Sequence, residues 1–235
     1  MGVIPGIEFN TFSIIGRCAR TGMLGIAITT SDITVGSRCP YVKPMVGAVS
    51  TQASTDPGLG PFALRLMELG YAAKGALQQV EASDPHIERR QLGLVDRNGD
   101  SAARTGAMNN PWAGHTTGRD HVAMGNGLVG EGVVQAMAAV FLEAPQLDLE
   151  ERLLRALEAG QEAGGEAQDS TPYHSAALLV YASDAFCRVD LRVDEHATPV
   201  AELRRLLDIF APKIDYFALR ASDPEAAQAA KDAGI

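Results

Sequence analysis

Long apolar runs are missing from this 235-residue sequence. Residues 176–182 (AALLVYA), as long as any, fall far short of the roughly 20 residues that a membrane-spanning helix needs. Basic clusters are missing as well. Twenty Lys and Arg stand against 29 Asp and Glu, a net charge of −9, with no run of cations to offset it. A phosphate backbone or an anionic membrane surface would be repelled, so neither nucleic acid nor membrane is expected as a partner. The opening MGVIPGIEFN has no basic region and no long apolar stretch, so no export signal is expected. Gly6 stands where a myristoylation signal would want Ser or Thr. Cysteine is scarce: Cys18, Cys39 and Cys187 lie far apart, with no CxxC. That excludes a disulfide framework and a cysteine zinc site, and suits a reducing cytoplasm. Several site motifs are also missing: no GxxxxGKS or GxxxxGKT loop, no HExxH, no GxSxG, and no GxGxxG after a strand. No cofactor is implied.

What is present is ordinary globular material, 46% hydrophobic and 21% charged. A chain of this length buries roughly 70% of its unfolded surface, enough for a core without a disulfide or metal staple. Length alone allows one or two domains, but no linker or composition shift divides the chain.

Residues 11–16 (TFSIIG) and 24–30 (LGIAITT) are β-branched and aromatic around a polar turn at Arg20-Thr21-Gly22, and predict a hairpin. Residues 46–52 (VGAVSTQ) predict a third strand, broken by Asp56-Pro57-Gly58. Helices follow at 61–69, with Phe62, Leu66 and Leu69 on one face, and at 73–82, with Ala76, Leu77 and Val80 on one face. Residues 91–96 and 101–105 predict a hairpin around Asn98-Gly99. Residues 106–120 predict a polar, Gly-rich loop, and 121–125 another strand. Helices are expected at 131–143 and 149–163, the second with a Leu149, Leu153, Leu154 and Leu157 stripe, ended by Gly164-Gly165. Strands at 174–182 and 187–193 predict a pair. A helix at 199–210 has Pro199 at its first position, Thr198 as cap, and Val200, Leu203, Leu207 and Phe210 along one face. The last dozen residues suit a loosely held helix. Antiparallel hairpins alternating with helix pairs suit sheets packed face to face with helices outside.

Few residues declare chemistry on their own. His115 and His121 are six apart in a Gly-rich region beside Asp120, a spacing that does not share a helical face, so no metal site is expected. Asp190, Arg192 and Asp194 alternate along one strand and share its face, either as an ion-pair ladder or to orient a substrate at a cleft end. His174 and Ser175 are adjacent on a strand and point to opposite faces, which excludes a Ser-His couple. Cys39 sits beside Arg38 and near Lys43, cations that lower a thiol pKa, although most free cysteines are simply small buried apolar groups. Thr11 begins a strand. Such a Thr becomes a nucleophile when its own α-amine is freed to act as base.

The segment TFSIIGRCARTGMLGIAITTSDITVGSRCPYVKPMVGAVSTQASTDPGLG resembles the opening of the domain-of-unknown-function 1028 family, which is placed in the N-terminal-nucleophile (Ntn) hydrolase superfamily. The resemblance continues through DPHIERRQLGLVDRNGD, AMGNGLVG, LLRALEAGQEAGGE, HSAALLV and VDLRVDEHATPVAELRRLL. It covers residues 11–211 and is far more specific for the family than for any reaction.

The resemblance implies an α+β fold, a four-layer αββα sandwich with antiparallel sheets. It divides the chain into a leader or propeptide over 1–10, an Ntn-hydrolase-like domain over 11–211 and a helical tail over 212–235. It implies hydrolysis of an amide bond in a small molecule or small peptide, in nitrogen-compound catabolism, without a cofactor. Thr11 is the carried-over nucleophile. Many members begin Met-Thr-Phe-Ser, so here the Asn10–Thr11 bond must be cut. Asn126 is expected as an oxyanion donor, alongside backbone amides near Thr51 and Gln52. Arg38, Asn109, Asn110, His115 and His174 are expected around the substrate's polar ends. Two alternatives stand beside this reading. One is a Cys39 nucleophile with His115 or His174 as base, the other a non-catalytic metabolite binder. Some longer relatives carry a peptidoglycan-binding domain, and the short chain argues against a cell-wall role. A homodimer or higher homo-oligomer is expected, with the apolar 210–219 region as a surface.

Overall fold

Phe12 and Ile14 on the first strand point one way, Thr11, Ser13 and Ile15 the other, and all five are buried. A strand buried on both faces lies between two layers, and the computed structural model shows which. It describes residues 9–165 and 174–232. Residues 1–8 of the expected leader and the last three of the expected tail lie outside that range.

Strands β1 (Thr11–Arg17), β2 (Leu24–Thr30), β7 (Gly114–Gly118), β8 (His121–Asn126), β9 (Ser175–Tyr181) and β10 (Val189–Val193) form a six-stranded sheet in the order β10-β9-β2-β1-β8-β7. Strands β3 (Pro40–Lys43), β4 (Gly47–Ala53), β5 (Arg90–Asp96) and β6 (Ser101–Thr105) form a four-stranded sheet in that order. Every pairing is antiparallel.

Helices cover both outer faces. Helix α3 (Gly132–Glu143) and α4 (Leu149–Glu162) pack Val133, Met137, Phe141, Leu153 and Leu157 against Phe12 and Ile14. Gly16 allows this contact, since a Cβ there would lie 2.6 Å from the Phe141 ring. Truncating any of these fully buried leucines would cost about 2–5 kcal/mol. Helix α5 (Pro199–Phe210) lays Val200, Leu203 and Leu207 on the same core, beside β9 and β10. On the other side α1 (Leu59–Glu68) and α2 (Ala73–Ser83) cover Val49, Leu92 and Leu94. Helices α6 (Ile214–Ser222) and α7 (Pro224–Asp232) close the described chain, with Ala227 fully buried. The result is a four-layer αββα sandwich of class α+β. Among the described residues no helix is long and apolar enough to cross a membrane.

The layer between the sheets is divided. At one end it is apolar: Ile15, Leu24, Ile26, Ala48, Val95, Val122 and Met124. At the other end the same strand faces carry Thr11, Ser13, Gln52, Gln91 and Asn126, all buried. A row of buried polar groups must be mutually hydrogen-bonded, and this row is.

Four local expectations need correction. The 106–120 segment is not all loop, because Gly114–Gly118 pairs with β8 as an edge strand. Strand β3 adds an edge to the smaller sheet that the sequence did not predict. Helix α1 starts at Leu59 and buries Leu59, Ala63, Leu66 and Met67, leaving Phe62 and Leu69 exposed, so the expected face was out of phase. Thr198 makes no cap: its hydroxyl contacts His196 Nδ1 at 3.2 Å instead.

Candidate active site

Strand register brings the site together. Thr11, the first residue of β1, lies opposite Thr30 on β2 and opposite Asn126 on β8. All three side chains share one face of the sheet, at the polar end of the inter-sheet layer. They line a cavity of about 550 Å³ together with Phe9, Asp32, Arg38, Cys39, Arg90 and Asn109.

The peptide bond before Thr11 is tightly held. The Asn10 carbonyl oxygen accepts from the Ser31 N–H at 3.0 Å and from the Thr30 hydroxyl at 2.9 Å. Asn10 donates its own N–H to Ser31 Oγ at 2.8 Å. Thr11 Oγ1 lies 2.8 Å from Thr30 Oγ1. A hydroxyl has one proton, and that of Thr30 is committed to Asn10, so Thr11 is the donor in this pair. Asn10 is buried, with its side-chain oxygen pressed on Gly127, where a Cβ would come within 1.7 Å of it.

A network of amide side chains underlies Thr11. Gln52 Nε2 contacts the Thr11 carbonyl at 3.5 Å and Gln91 Oε1 at 2.8 Å, and Gln52 Oε1 accepts from Ser13 Oγ at 2.8 Å. Gln91 Oε1 also accepts from Asn126 Nδ2 at 3.1 Å. Gln91 Nε2 donates onward to Thr105 Oγ1 at 2.9 Å and to the Gly125 carbonyl at 2.8 Å. The network sets the rotamer of Asn126 beside the Thr11 hydroxyl.

The expected site residues divide accordingly. Thr11, Asn126, Cys39, Arg38 and Asn109 meet in the one cavity, and Asn110 joins them. Gln52 lies beneath them as a support. Thr51 does not reach the site: its side chain faces the α1 side with Val49, and its N–H is used by the Cys39 carbonyl at 3.1 Å. It therefore supplies no oxyanion donor. His115 stands in a separate cavity of about 480 Å³ with Trp112 and Thr105, its Nδ1 2.8 Å from Thr105 Oγ1. Burial lowers its pKa. His174 lines neither cavity. Its N–H bonds the Thr30 carbonyl and its ring lies 3.8 Å from the Glu195 carboxylate.

Of the two readings of Cys39, the structure favours the small buried apolar group. Arg38 does pull its pKa down, as does a 3.9 Å contact with Thr55 Oγ1, but burial outweighs both and pushes the thiol up to about 11. It is 6% exposed and behaves as a core residue with Ile28, Val35 and Ala177. The Asp190–Arg192 pair is a surface ion pair at 2.8 Å, away from the cavity. Among the described residues no group of three or more His, Cys, Asp or Glu could hold a metal ion.

Thr30, Ser31, Gln91, Arg89 and Arg90 are the site residues that the sequence reading missed. Thr30 was within reach of it: a hairpin of residues 11–16 with 24–30 places 11 opposite 30.

Comparison with known proteins places the chain. No curated protein matches it in sequence. Among solved structures, protein SPO2555 from Silicibacter pomeroyi, assigned to the same family model, superposes with a TM-score of 0.78 at 31% identity, over 86% of this chain and 89% of that one. Anbu (ancestral beta-subunit) from Yersinia bercovieri aligns over 85% of this chain and 96% of its own, at 11% identity and a TM-score of 0.41. The model of the family of unknown function DUF1028 matches residues 11–203, and the chain belongs to that family.

Proposed function

We propose that this protein is an N-terminal-nucleophile amide hydrolase whose nucleophile, Thr11, is freed by cleavage of its own Asn10–Thr11 bond. The observation that carries this reading is the pair of donors on the Asn10 carbonyl. That oxygen receives both the Ser31 N–H and the Thr30 hydroxyl, and Thr30 is in turn hydrogen-bonded to the Thr11 hydroxyl. This is the constellation an acyl transfer needs: nucleophile, proton acceptor and oxyanion donors around one carbonyl.

The cleavage step follows from those contacts. Thr11 Oγ1 attacks the Asn10 carbonyl carbon and passes its proton to Thr30 Oγ1. Thr30 hands its own proton to the oxygen that was the carbonyl. The relay leaves a neutral tetrahedral centre and needs no external base. Collapse breaks the C–N bond as the hydroxyl proton of the tetrahedral centre passes to the Thr11 nitrogen, and an ester links Asn10 to Thr11 Oγ1. Water then hydrolyses the ester to the Asn10 carboxylate and a free Thr11.

In turnover the freed α-amine takes the proton of the Thr11 hydroxyl, and Oγ1 attacks a substrate amide seated where Asn10 had been. Thr30, the Ser31 N–H and Asn126 are the donors available to the oxyanion. The leaving amine collects the proton from the α-amine, and water releases the acid. The buried, weakly acidic thiol argues against Cys39 as the nucleophile, since only a thiolate attacks well.

Intact-mass spectrometry of the purified chain tests the reading. Loss of the first ten residues from the wild type, and none from Thr11→Ala, is the expected result. A chain that keeps its first ten residues while hydrolysing amides would overturn Thr11 as nucleophile.

A further inference from the structure

Three arginines, Arg38, Arg89 and Arg90, line the Thr11 cavity, against one carboxylate among the described lining residues, Asp32. In a chain of net charge −9 this is a local reversal of sign. The pairing is uneven. Arg38 is bonded to Asp32 at 3.1 Å. Arg90 is bonded at 2.8 Å to Asp84, a carboxylate outside the lining, and also to the Ser54 carbonyl. Among the described residues no carboxylate pairs with Arg89, so one lining cation is left without a counter-charge. The other polar lining groups are neutral. One of them, Asn109, has both bonds from Nδ2 committed, to the Arg90 and Gly106 carbonyls, while its Oδ1 has no donor.

We infer that the substrate is a monoanionic amide: one carboxylate pairs with Arg89 while the scissile carbonyl lies at Thr11. A guanidinium and a carboxylate match in shape and form charge-assisted hydrogen bonds about twice as strong as neutral ones. A cation in a concave wall also concentrates anions from solution. A dianion would meet only one open charge, and a neutral amide would leave Arg89 unanswered. This inference rests on the hydrolase reading for its chemistry but not for its electrostatics, and its test keeps the two apart.

The test compares N-acyl amino acids with their neutral N-acyl amino amides as matched pairs, assayed by amine release. The acids should show at least tenfold higher kcat/KM, carried mainly by KM. Arg89→Gln should collapse that ratio towards one, and Arg89→Lys should restore part of it. Raising the salt concentration should weaken only the acids. Equal rates for acid and amide, or a ratio unmoved by Arg89→Gln, would overturn the inference. If nothing in the panel is turned over, titration calorimetry of the same acids decides. Binding that is lost in Arg89→Gln keeps the anion site and sinks the hydrolase reading. Absence of binding by any acid sinks the anion site itself.

Discussion

The Thr30 hydroxyl donates to the Asn10 carbonyl at 2.9 Å while lying 2.8 Å from Thr11 Oγ1, so one side chain bridges the bond before Thr11 and the group placed to attack it. Removing that bridge should be felt in the cleavage rate. Thr30→Val keeps the shape but deletes the donor and the proton relay. Loss of one oxyanion donor costs about 100- to 1,000-fold in rate. Mass spectrometry along a time course after synthesis should show uncleaved chain accumulating in Thr30→Val and near-normal processing in Thr30→Ser. Unchanged processing in Thr30→Val would remove Thr30 from the mechanism.

How much of this was legible beforehand depended on whether the partners were local. The β1–β2 hairpin, the Asn98-Gly99 turn and the Leu149–Leu157 stripe were all readable, because each rests on neighbours within one or two elements. Gly99 takes the left-handed φ of 85° that such a turn requires. Strand β7 was not readable: GHTTG has no apolar alternation and forms only because β8 offers a free edge. The choice between the two readings of the Cys39 thiol was out of reach for the same kind of reason. Its cationic neighbour is visible in sequence, whereas the burial that outweighs it comes from Ile28 and Ala177 on other strands. Arg90 joins the site from the start of β5 and Arg89 from the short turn before it, and nothing in IERRQLGLVD announces them.

Gln91 is the hub of the buried amide network and should report on it. Its Oε1 accepts from Gln52 and Asn126, and its Nε2 serves Thr105 and Gly125. Gln91→Leu is nearly isosteric but strands the buried donors of Gln52 and Asn126. Each buried group left unpaired costs about 1–3 kcal/mol. A total of about 3 kcal/mol would lower Tm by roughly 6–12 °C in a chain of this size. Thermal unfolding of the variant checks this, and a fall of less than about 2 °C would mean that the network carries little of the stability.

Cys39 gives a pH signature. Its thiol titrates near 9.0 when free and near 11 when folded, because burial disfavours the thiolate. Between those values the unfolded chain holds fewer protons than the folded one, so stability should fall as pH rises through that window. Below about pH 9 both states are protonated and the effect vanishes. Two pKa units correspond to about 2–3 kcal/mol. Urea unfolding at pH 8 and pH 11 should show this alkaline loss in wild type, and Cys39→Ala should lose less stability between them. The same variant should retain Asn10–Thr11 cleavage and amide turnover. Abolished turnover would restore Cys39 as the nucleophile.

Gly127 separates the uncleaved chain from the cleaved one. Its φ of 64° is left-handed, which costs a side chain about 1–2 kcal/mol in either form. A second penalty exists only while Asn10 is present. A Cβ at 127 would lie 1.7 Å from Asn10 Oδ1 and 2.5 Å from its Cγ, so the buried Asn10 side chain must move. That motion displaces the carbonyl that Thr30 and Ser31 hold. Gly127→Ala should therefore slow cleavage at least tenfold while lowering the Tm of a chain made to begin at Thr11 only by the backbone cost, roughly 2–8 °C. Mass spectrometry of the full chain and thermal unfolding of the chain beginning at Thr11 measure the two effects separately. Normal cleavage in Gly127→Ala would show that the seat of Asn10 does not set the geometry of the bond that is cut.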